Sequence, residues 1–181
     1  MYDDNRVLDQ IHGKFITINR ELLEVWSNNI LLSWRWWLNL GLAIVPWIIW
    51  IRYRNKNNTA RLLFVGLVVA IVTEVMDIVG ISRGLWHYDW PLLPLFPIFI
   101  PWNFSLFPVN VMFMLQIKPK VSHFIKAILF AGFCAYMMEP LFGKLGMYHN
   151  IKWSRLNSFV IYTLLYLFFY RIYKKLESTK I

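Results

Sequence analysis

Five apolar segments, separated by short loops, are the sequence feature that most constrains the fold. A helix needs about 20 mostly apolar residues to cross the hydrocarbon core of a membrane. The segments that meet or approach this length are 36–51, 62–81, 91–117, 124–142 and 156–173. Each is apolar on nearly all sides, which is typical of helices in lipid. The sequence therefore predicts an all-α, polytopic transmembrane bundle of about five spans over residues 36–173.

The composition excludes the other broad classes of protein. The chain is 58% hydrophobic and 16% charged, whereas soluble domains average about 25% charged residues. A hydrophobic content this high excludes a disordered chain, and the single cysteine, Cys134, excludes a disulfide scaffold. The net charge of +9 is spread over short loops. Because there is no compact basic face or binding motif, we expect no nucleic-acid partner.

The basic loops predict the orientation of the bundle in a cell membrane. If there are five spans, loop 52–61, the loop after the third segment and the tail 174–181 all fall on one side, and all are rich in Lys and Arg. Such loops collect in the cytoplasm, so we expect the N-terminus outside and the C-terminus inside. Within the N-terminal segment 1–35, residues 15–34 mix apolar and charged side chains. This pattern favours an amphipathic helix along the membrane interface, with a sixth span as the alternative.

Three carboxylic acids inside the apolar segments are the first candidate functional residues: Glu74, Asp77 and Glu139. A charged group at the centre of a membrane costs about 2.5–3.5 kcal/mol on insertion scales, so such groups are functional by default. The spacing of Glu74 and Asp77 places both on one helix face, beside a stripe of small residues that lets another helix approach. Glu139 precedes Pro140, which bends a helix. We expect the three acids to converge in the outer half of the bundle, as catalytic groups if the protein is an enzyme. The alternative is a structural role, for example pairing with Arg83.

Other polar and aromatic residues complete the predicted pocket. The third segment is interrupted by prolines, which favours a broken or re-entrant element that lines a cavity. The fifth segment places Tyr at every fourth position, and hence on one side of a helix. The outer loop Gly-Leu-Trp-His-Tyr-Asp-Trp-Pro predicts an aromatic lid. The predicted ligand-binding residues are Trp86, His87, Tyr88, Asp89, Trp90, Asn103, Asn110, Tyr162 and Tyr166.

His87, Asp89 and His149 are also candidate metal ligands. Their spacing matches no standard zinc pattern, and the sequence contains no phosphate-binding loop or zinc-helix motif. We therefore expect the aromatic lid here, and neither a metal nor a cofactor.

The order of these features resembles an uncharacterised family of small multi-pass membrane proteins from spore-forming Gram-positive bacteria. The resemblance spans residues 74–166, about half of the chain. It is carried by Gly84-Leu85-Trp86-His87-Tyr88, Pro91-Leu92-Leu93-Pro94-Leu95-Phe96-Pro97, Pro108, Glu139-Pro140-Leu141, Leu145-Gly146-Met147-Tyr148 and Trp153. It implies a membrane location and no particular activity.

A second, weaker likeness is to the membrane-embedded lycopene cyclase domain. Those proteins also place a Trp-x-Tyr-like outer motif and intramembrane acids in a short helical bundle, and their carboxylates are thought to protonate a polyene. In this chain Glu139-Pro140 stands in the reverse order of that domain's Pro-Glu-Glu signature. The likeness implies acid chemistry on an isoprenoid-like substrate.

Three hypotheses for function remain open. The first is a pocket that binds a membrane lipid, a cation or a small lipophile, in a protein that acts alone, as a homo-oligomer or with a membrane-protein partner. The second is a membrane enzyme whose carboxyl group is a general acid towards a lipophilic substrate. The third, a proton or cation conductor, is disfavoured because the inner halves of the second and fourth segments lack ionisable groups apart from Lys126 near the inner end of the fourth.

Overall fold

A computed structural model describes residues 4–95 and 97–178, most of which are helical. The helices are α1 (Asp4–Val25), α2 (Trp34–Tyr53), α3 (Thr59–Ser82), α4 (Phe107–Gln116), α5 (His123–Phe133), α6 (Glu139–Lys144) and α7 (Arg155–Ser178). A single 3-10 turn, Lys56–Asn58, leads into α3. Three π-helical turns extend or join helices: Trp26–Ile30 after α1, Trp102–Leu106 before α4, and Cys134–Met138 between α5 and α6.

Within the described residues, three helical stretches are long and apolar enough to cross a membrane: Lys56–Ser82, His123–Lys144 and Arg155–Ser178. The predicted helical membrane architecture is confirmed at this level, but five helices of that kind are not present. Helix α2 has 20 residues, but Trp, Asn and Pro within it and Arg near both ends lower its mean hydropathy. Helix α4 has only 10 residues, and so is about 15 Å long.

Two further details differ from the sequence-based expectations. The fold is not wholly α, because β1 (Trp86–Tyr88) and β2 (Tyr148–Asn150) form an antiparallel pair. In addition, α7 continues to Ser178, so the basic tail is helical as far as the described residues extend.

The N-terminal helix is amphipathic, as predicted, and longer than expected because it already begins at Asp4. Apolar side chains such as Leu8, Ile11, Phe15 and Ile18 are exposed along it. Successive members of this set are three or four residues apart, so they share one face. An interfacial helix buries such a face among lipid head groups.

The short helix α4 occupies the centre of the bundle. It packs against α2, α3 and α7, while α5 packs along α7. The small-residue stripe of α3, which includes Gly66, Ala70 and Gly80, is buried as the sequence predicted.

The two strands are positioned by a repeated helix ending. At the end of α3, Gly84 has a φ of 65°, and at the end of α6, Gly146 has a φ of 68°. In both cases the amide after the glycine donates to a carbonyl five residues earlier: Leu85 to Gly80 at 3.0 Å and Met147 to Phe142 at 2.9 Å. This is the Schellman motif, in which glycine avoids the steric cost of positive φ. It turns both chain segments sharply into the antiparallel strand pair, with His87 opposite His149 in register. We refer to this strand pair as the hairpin, although residues 89–147 separate its two strands in the sequence.

At Gly80 the ring of Trp86 packs directly against the backbone of α3. Substitution of Gly80 tests this contact. A methyl group there would overlap the six-membered ring of Trp86, whereas one at Gly41 in α2 would meet nothing within 4 Å. We expect Gly80→Ala to lower the free energy of unfolding by about 1–3 kcal/mol, the usual cost of overpacking. Gly41→Ala is the control and should be neutral or slightly stabilising. Denaturant titration in mild detergent measures both, and equal stability of the two variants would contradict this packing.

Candidate functional site

A cavity of about 280 Å³ lies at the end of the bundle that carries the two strands, beneath the hairpin. Its walls come from α3, both strands, the π turn before α4, α6 and α7, and they are largely apolar. The polar side chains in these walls are those of Thr73, Asp77, Arg83, Tyr88, Asn103, Glu139, Tyr148, Ser158 and Tyr162. The cavity therefore combines an apolar volume with a few fixed polar groups, as small-molecule sites usually do.

One asparagine links two of the predicted acids. Asn103 Nδ2 donates to Glu74 Oε2 at 2.9 Å and to Asp77 Oδ2 at 2.7 Å. Asn103 is fully buried, and Asp77 is 6% exposed. The π turn before α4 carries Asn103, and such turns shift the side chains that follow by an extra residue. A single amide thus supplies hydrogen bonds to carboxylates one helical turn apart.

The hairpin supplies the remaining donors to Asp77. Trp86 Nε1 and the Tyr88 hydroxyl donate to Asp77 Oδ1 at 3.0 and 3.2 Å. Burial, and then the neighbouring Asp77, raise the pKa of the Tyr88 phenol well above its usual value, so Tyr88 stays protonated as a donor. Tyr88 also stacks on Phe99, with ring centroids 4.4 Å apart. Asp77 is held by donors from both the hairpin and the π turn.

Glu139 forms a second polar point on the opposite wall. It is 8% exposed, and its Oε1 accepts a hydrogen bond from the Tyr162 hydroxyl at 3.0 Å. The Ser158 hydroxyl also interacts with this carboxylate, but Oε2 is buried without a partner at hydrogen-bonding distance among the described residues, as are Asn103 Oδ1 and Glu74 Oε1. Unpaired oxygens are thus present on both walls, on residues Asn103 and Glu139 that line the same cavity.

The structure brings together only part of the predicted site. Trp86, Tyr88, Asn103 and Tyr162 line the cavity with Asp77 and Glu139. Glu74 is connected to it through Asn103.

The other predicted residues lie elsewhere. His87 and Asp89 alternate with Trp86 and Tyr88, so they fall on the outer face of the hairpin. The ring of Trp90 lies 4.5 Å from the Arg35 guanidinium. The backbone carbonyl of Trp90 accepts a hydrogen bond from Asn39 Nδ2 at 2.6 Å.

Asn110 and Tyr166 are excluded from the cavity by helix geometry. Asn110 donates to the Leu106 carbonyl at 2.7 Å. Seven residues normally restore the same helix face, but the π turn changes the register between Asn103 and Asn110. Tyr166 lies one turn further along α7 than Tyr162 and hydrogen bonds to His123 Nδ1 at 3.0 Å.

Five aromatic lining residues were not among the predicted site residues: Phe99, Trp102, Phe142, Tyr148 and Trp153. Tryptophans near the ends of apolar segments are usually interfacial anchors, so Trp102 and Trp153 did not stand out as lining residues. The sequence did contain a usable signal, because a glycine followed two positions later by an aromatic residue occurs after both the second and the fourth segments. That pattern, in Gly84–Tyr88 and Gly146–Tyr148, is typical of a helix end followed by a strand.

No family model, curated protein or solved structure matches this chain. The resemblances described from the sequence therefore stay predictions. What the fold and the cavity define together is a helical protein with three described helices long and apolar enough to cross a membrane, and with a buried, carboxylate-containing site.

The amide of Asn103 should be the most sensitive polar group in this site. Asn103→Leu removes both donated hydrogen bonds and leaves the buried Asp77 and the half-buried Glu74 carboxylates short of donors. We expect the free energy of unfolding to fall by about 3 kcal/mol. Asn110→Leu, seven residues along, loses one local bond to a carbonyl and should cost less than about 1 kcal/mol.

A double-mutant cycle assigns the effect to the carboxylate. In an Asp77→Asn background the loss from Asn103→Leu should shrink by about 1 kcal/mol or more, because the coupled charge is gone. Equal losses in both backgrounds, measured by denaturant titration, would show that Asn103 acts only through packing.

Proposed function

We propose that this protein is a cell-membrane protein that binds a small lipophile with a neutral, hydrogen-bond-donating or cationic head group in the outer cavity. The observation that carries the proposal is the pair of unpartnered buried oxygens, Asn103 Oδ1 and Glu139 Oε2, on residues of one mostly apolar cavity. A buried acceptor without a donor costs about 1–3 kcal/mol. A ligand hydroxyl or ammonium group would supply the missing donors.

The charges in the cavity favour this type of head group. Asp77 and Glu139 line it, and Glu74 is connected through Asn103. The opposing cations are Arg83 in the wall and Arg155, whose charge acts on Glu139. An anionic phosphate group would face an excess of carboxylates, which disfavours it at short range. A neutral or cationic head group faces no such repulsion.

The side walls support access from the bilayer. Val75 and Val79 line the cavity, yet they are 54% and 44% exposed on α3. Exposed apolar side chains on a membrane-crossing helix are the ones that contact lipid. A lipophile could therefore enter between helices without passing through water.

We also propose five crossings, with the N-terminus outside. The pairing of β1 with β2 supports this number, because both strands must lie on the same side of the membrane. If only α3, the α5–α6 helix and α7 crossed, β1 would follow one crossing and β2 two, on opposite sides. A crossing by the continuous helical stretch 100–116, in which the π turn runs into α4 over about 25 Å, removes the conflict.

Hydrogen bonds at both ends of α2 support the fifth crossing. Near its start, Trp36 Nε1 donates to the Leu92 carbonyl at 3.0 Å, beside the hairpin. At its end, the Tyr53 carbonyl accepts from Gln116 Nε2 at 3.2 Å, at the far end of α4. Its 20 residues extend about 30 Å, which is the thickness of the hydrocarbon core.

Cysteine labelling tests this topology. Single cysteines are introduced at Asn57, Ser82, Lys120 and Lys152, which are all exposed, in a Cys134→Ser background. We expect a membrane-impermeant maleimide to label positions 82 and 152 in intact cells, and positions 57 and 120 only after permeabilisation. Labelling of 120 from outside with protection of 152 would support three crossings and contradict five.

Native mass spectrometry of the gently purified protein tests ligand binding. We expect the wild type to retain one defined lipophile, and Asp77→Asn and Glu139→Gln to lose at least about ten-fold in occupancy, because one charge-assisted hydrogen bond contributes about 1.5–3 kcal/mol. Glu177→Gln is the control, because Glu177 lies near the end of α7 and pairs with Arg61 at 3.1 Å.

The outcomes separate the alternatives. Retention of a phospholipid would favour a lipid head-group site, whereas a chemically altered lipophile produced only by the wild type would favour the enzyme hypothesis. Absence of any retained molecule from a stably folded wild type would contradict the proposal.

A further inference from the structure

The outer face of the hairpin carries a compact cluster of His87, Asp89 and His149. We propose that this cluster binds a first-row transition-metal dication such as Zn²⁺, at a site separate from the cavity. The ligand atoms of the three side chains all lie within 4.8 Å of one another. The proposal does not depend on what the cavity binds.

The β ladder brings the cluster together. His87 and His149 are direct partners across the antiparallel pair, so their side chains project from the same face. Their rings stack with centroids 4.8 Å apart and an angle of 8° between the planes. Asp89 follows His87 by two positions and therefore lies on that face as well. Sequence spacing argued against a metal only because it did not reveal this pairing.

The carboxylate of Asp89 bridges the Nε2 atoms of the two stacked rings. Asp89 Oδ2 is 2.7 Å from His149 Nε2, and Asp89 Oδ1 is 3.6 Å from His87 Nε2. In a tetrahedral site with metal–ligand distances of about 2.0–2.1 Å, ligand atoms are about 3.4 Å apart. To reach that geometry the 2.7 Å contact must lengthen, and the two nearly parallel rings must rotate so that their in-plane nitrogen lone pairs converge on the ion. The three side chains are 41–49% exposed, so their rotamers have room to adjust.

The ligand chemistry selects the type of ion. Two imidazoles and one carboxylate suit zinc and neighbouring transition metals, whereas Ca²⁺ and Mg²⁺ prefer sites made of oxygen ligands. Three protein ligands leave at least one coordination position for water or for an external group. Because His87 and His149 belong to different strands, a bound ion would cross-link the hairpin that covers the cavity.

A cobalt titration of the full chain, purified in detergent without a histidine tag, tests the site. We expect one Co²⁺ per chain with visible d–d absorption, and its displacement by Zn²⁺. His87→Ala, His149→Ala and Asp89→Asn should each weaken Co²⁺ binding by at least about ten-fold, the minimum effect expected when a metal site is disturbed. His12→Ala is the matched control, because His12 is exposed on α1, and it should bind as the wild type does.

Two outcomes would overturn the proposal. One is a wild type that shows no Co²⁺ absorption and no Zn²⁺ binding by calorimetry, which would leave the cluster as hydrogen-bonded surface residues. The other is a His87→Ala/His149→Ala variant that binds as tightly as the wild type. Far-ultraviolet circular dichroism and the unfolding midpoint of each variant separate lost binding from lost folding.

Discussion

The two hydrogen bonds donated by Asn103 are the interaction on which the hairpin end of the bundle depends. Helix α3 carries Glu74 and Asp77 into a region with little water, where an unpaired carboxylate is far more costly than at a surface. The amide of Asn103 reaches both acids, at 2.9 and 2.7 Å. Because it lies in the π turn that begins the central helix, the same contact fixes α4 against α3. Packing, polar satisfaction and cavity shape are thus determined together at this point.

The hairpin connects the buried acid Asp77 to the surface of the protein. Its inner face gives Asp77 two further donors, Trp86 and Tyr88, while its outer face presents the histidine pair. Such a short strand pair is marginal by itself. Here it is anchored by the Schellman turn that precedes each strand and by the hydrogen bonds to Asp77. A buried acid that would otherwise be a cost therefore becomes the attachment point of the cavity roof.

The sequence was sufficient to predict helices of membrane-crossing length, because mean hydropathy is averaged over about 20 residues. That average does not depend on the exact order of residues within a segment. The sequence also placed Asp77 and Glu139 correctly towards the interior, since their spacing relative to small residues fixes a helix face. It did not reveal the hairpin, whose three-residue strands are too short to show a period. It also did not predict the π turns, because they have no characteristic amino-acid composition. The π turn before α4 moves Asn110 off the helix face that carries Asn103. These local irregularities are where the site differs from a regular bundle.

The position of the hairpin has a thermodynamic consequence for the two proposed sites. A ligand in the cavity contacts the inner face of β1, and an ion on His87 and His149 bridges the outer faces of β1 and β2. If ion binding favours one arrangement of the strands, it changes the affinity of the cavity for its ligand, and the ligand changes the affinity for the ion by the same factor. The contacts of Trp86 and Tyr88 with Asp77 are the route available for this coupling, because they join the strand to the buried acid directly. A bundle with a plain loop in place of the hairpin would have no rigid element shared by both sites.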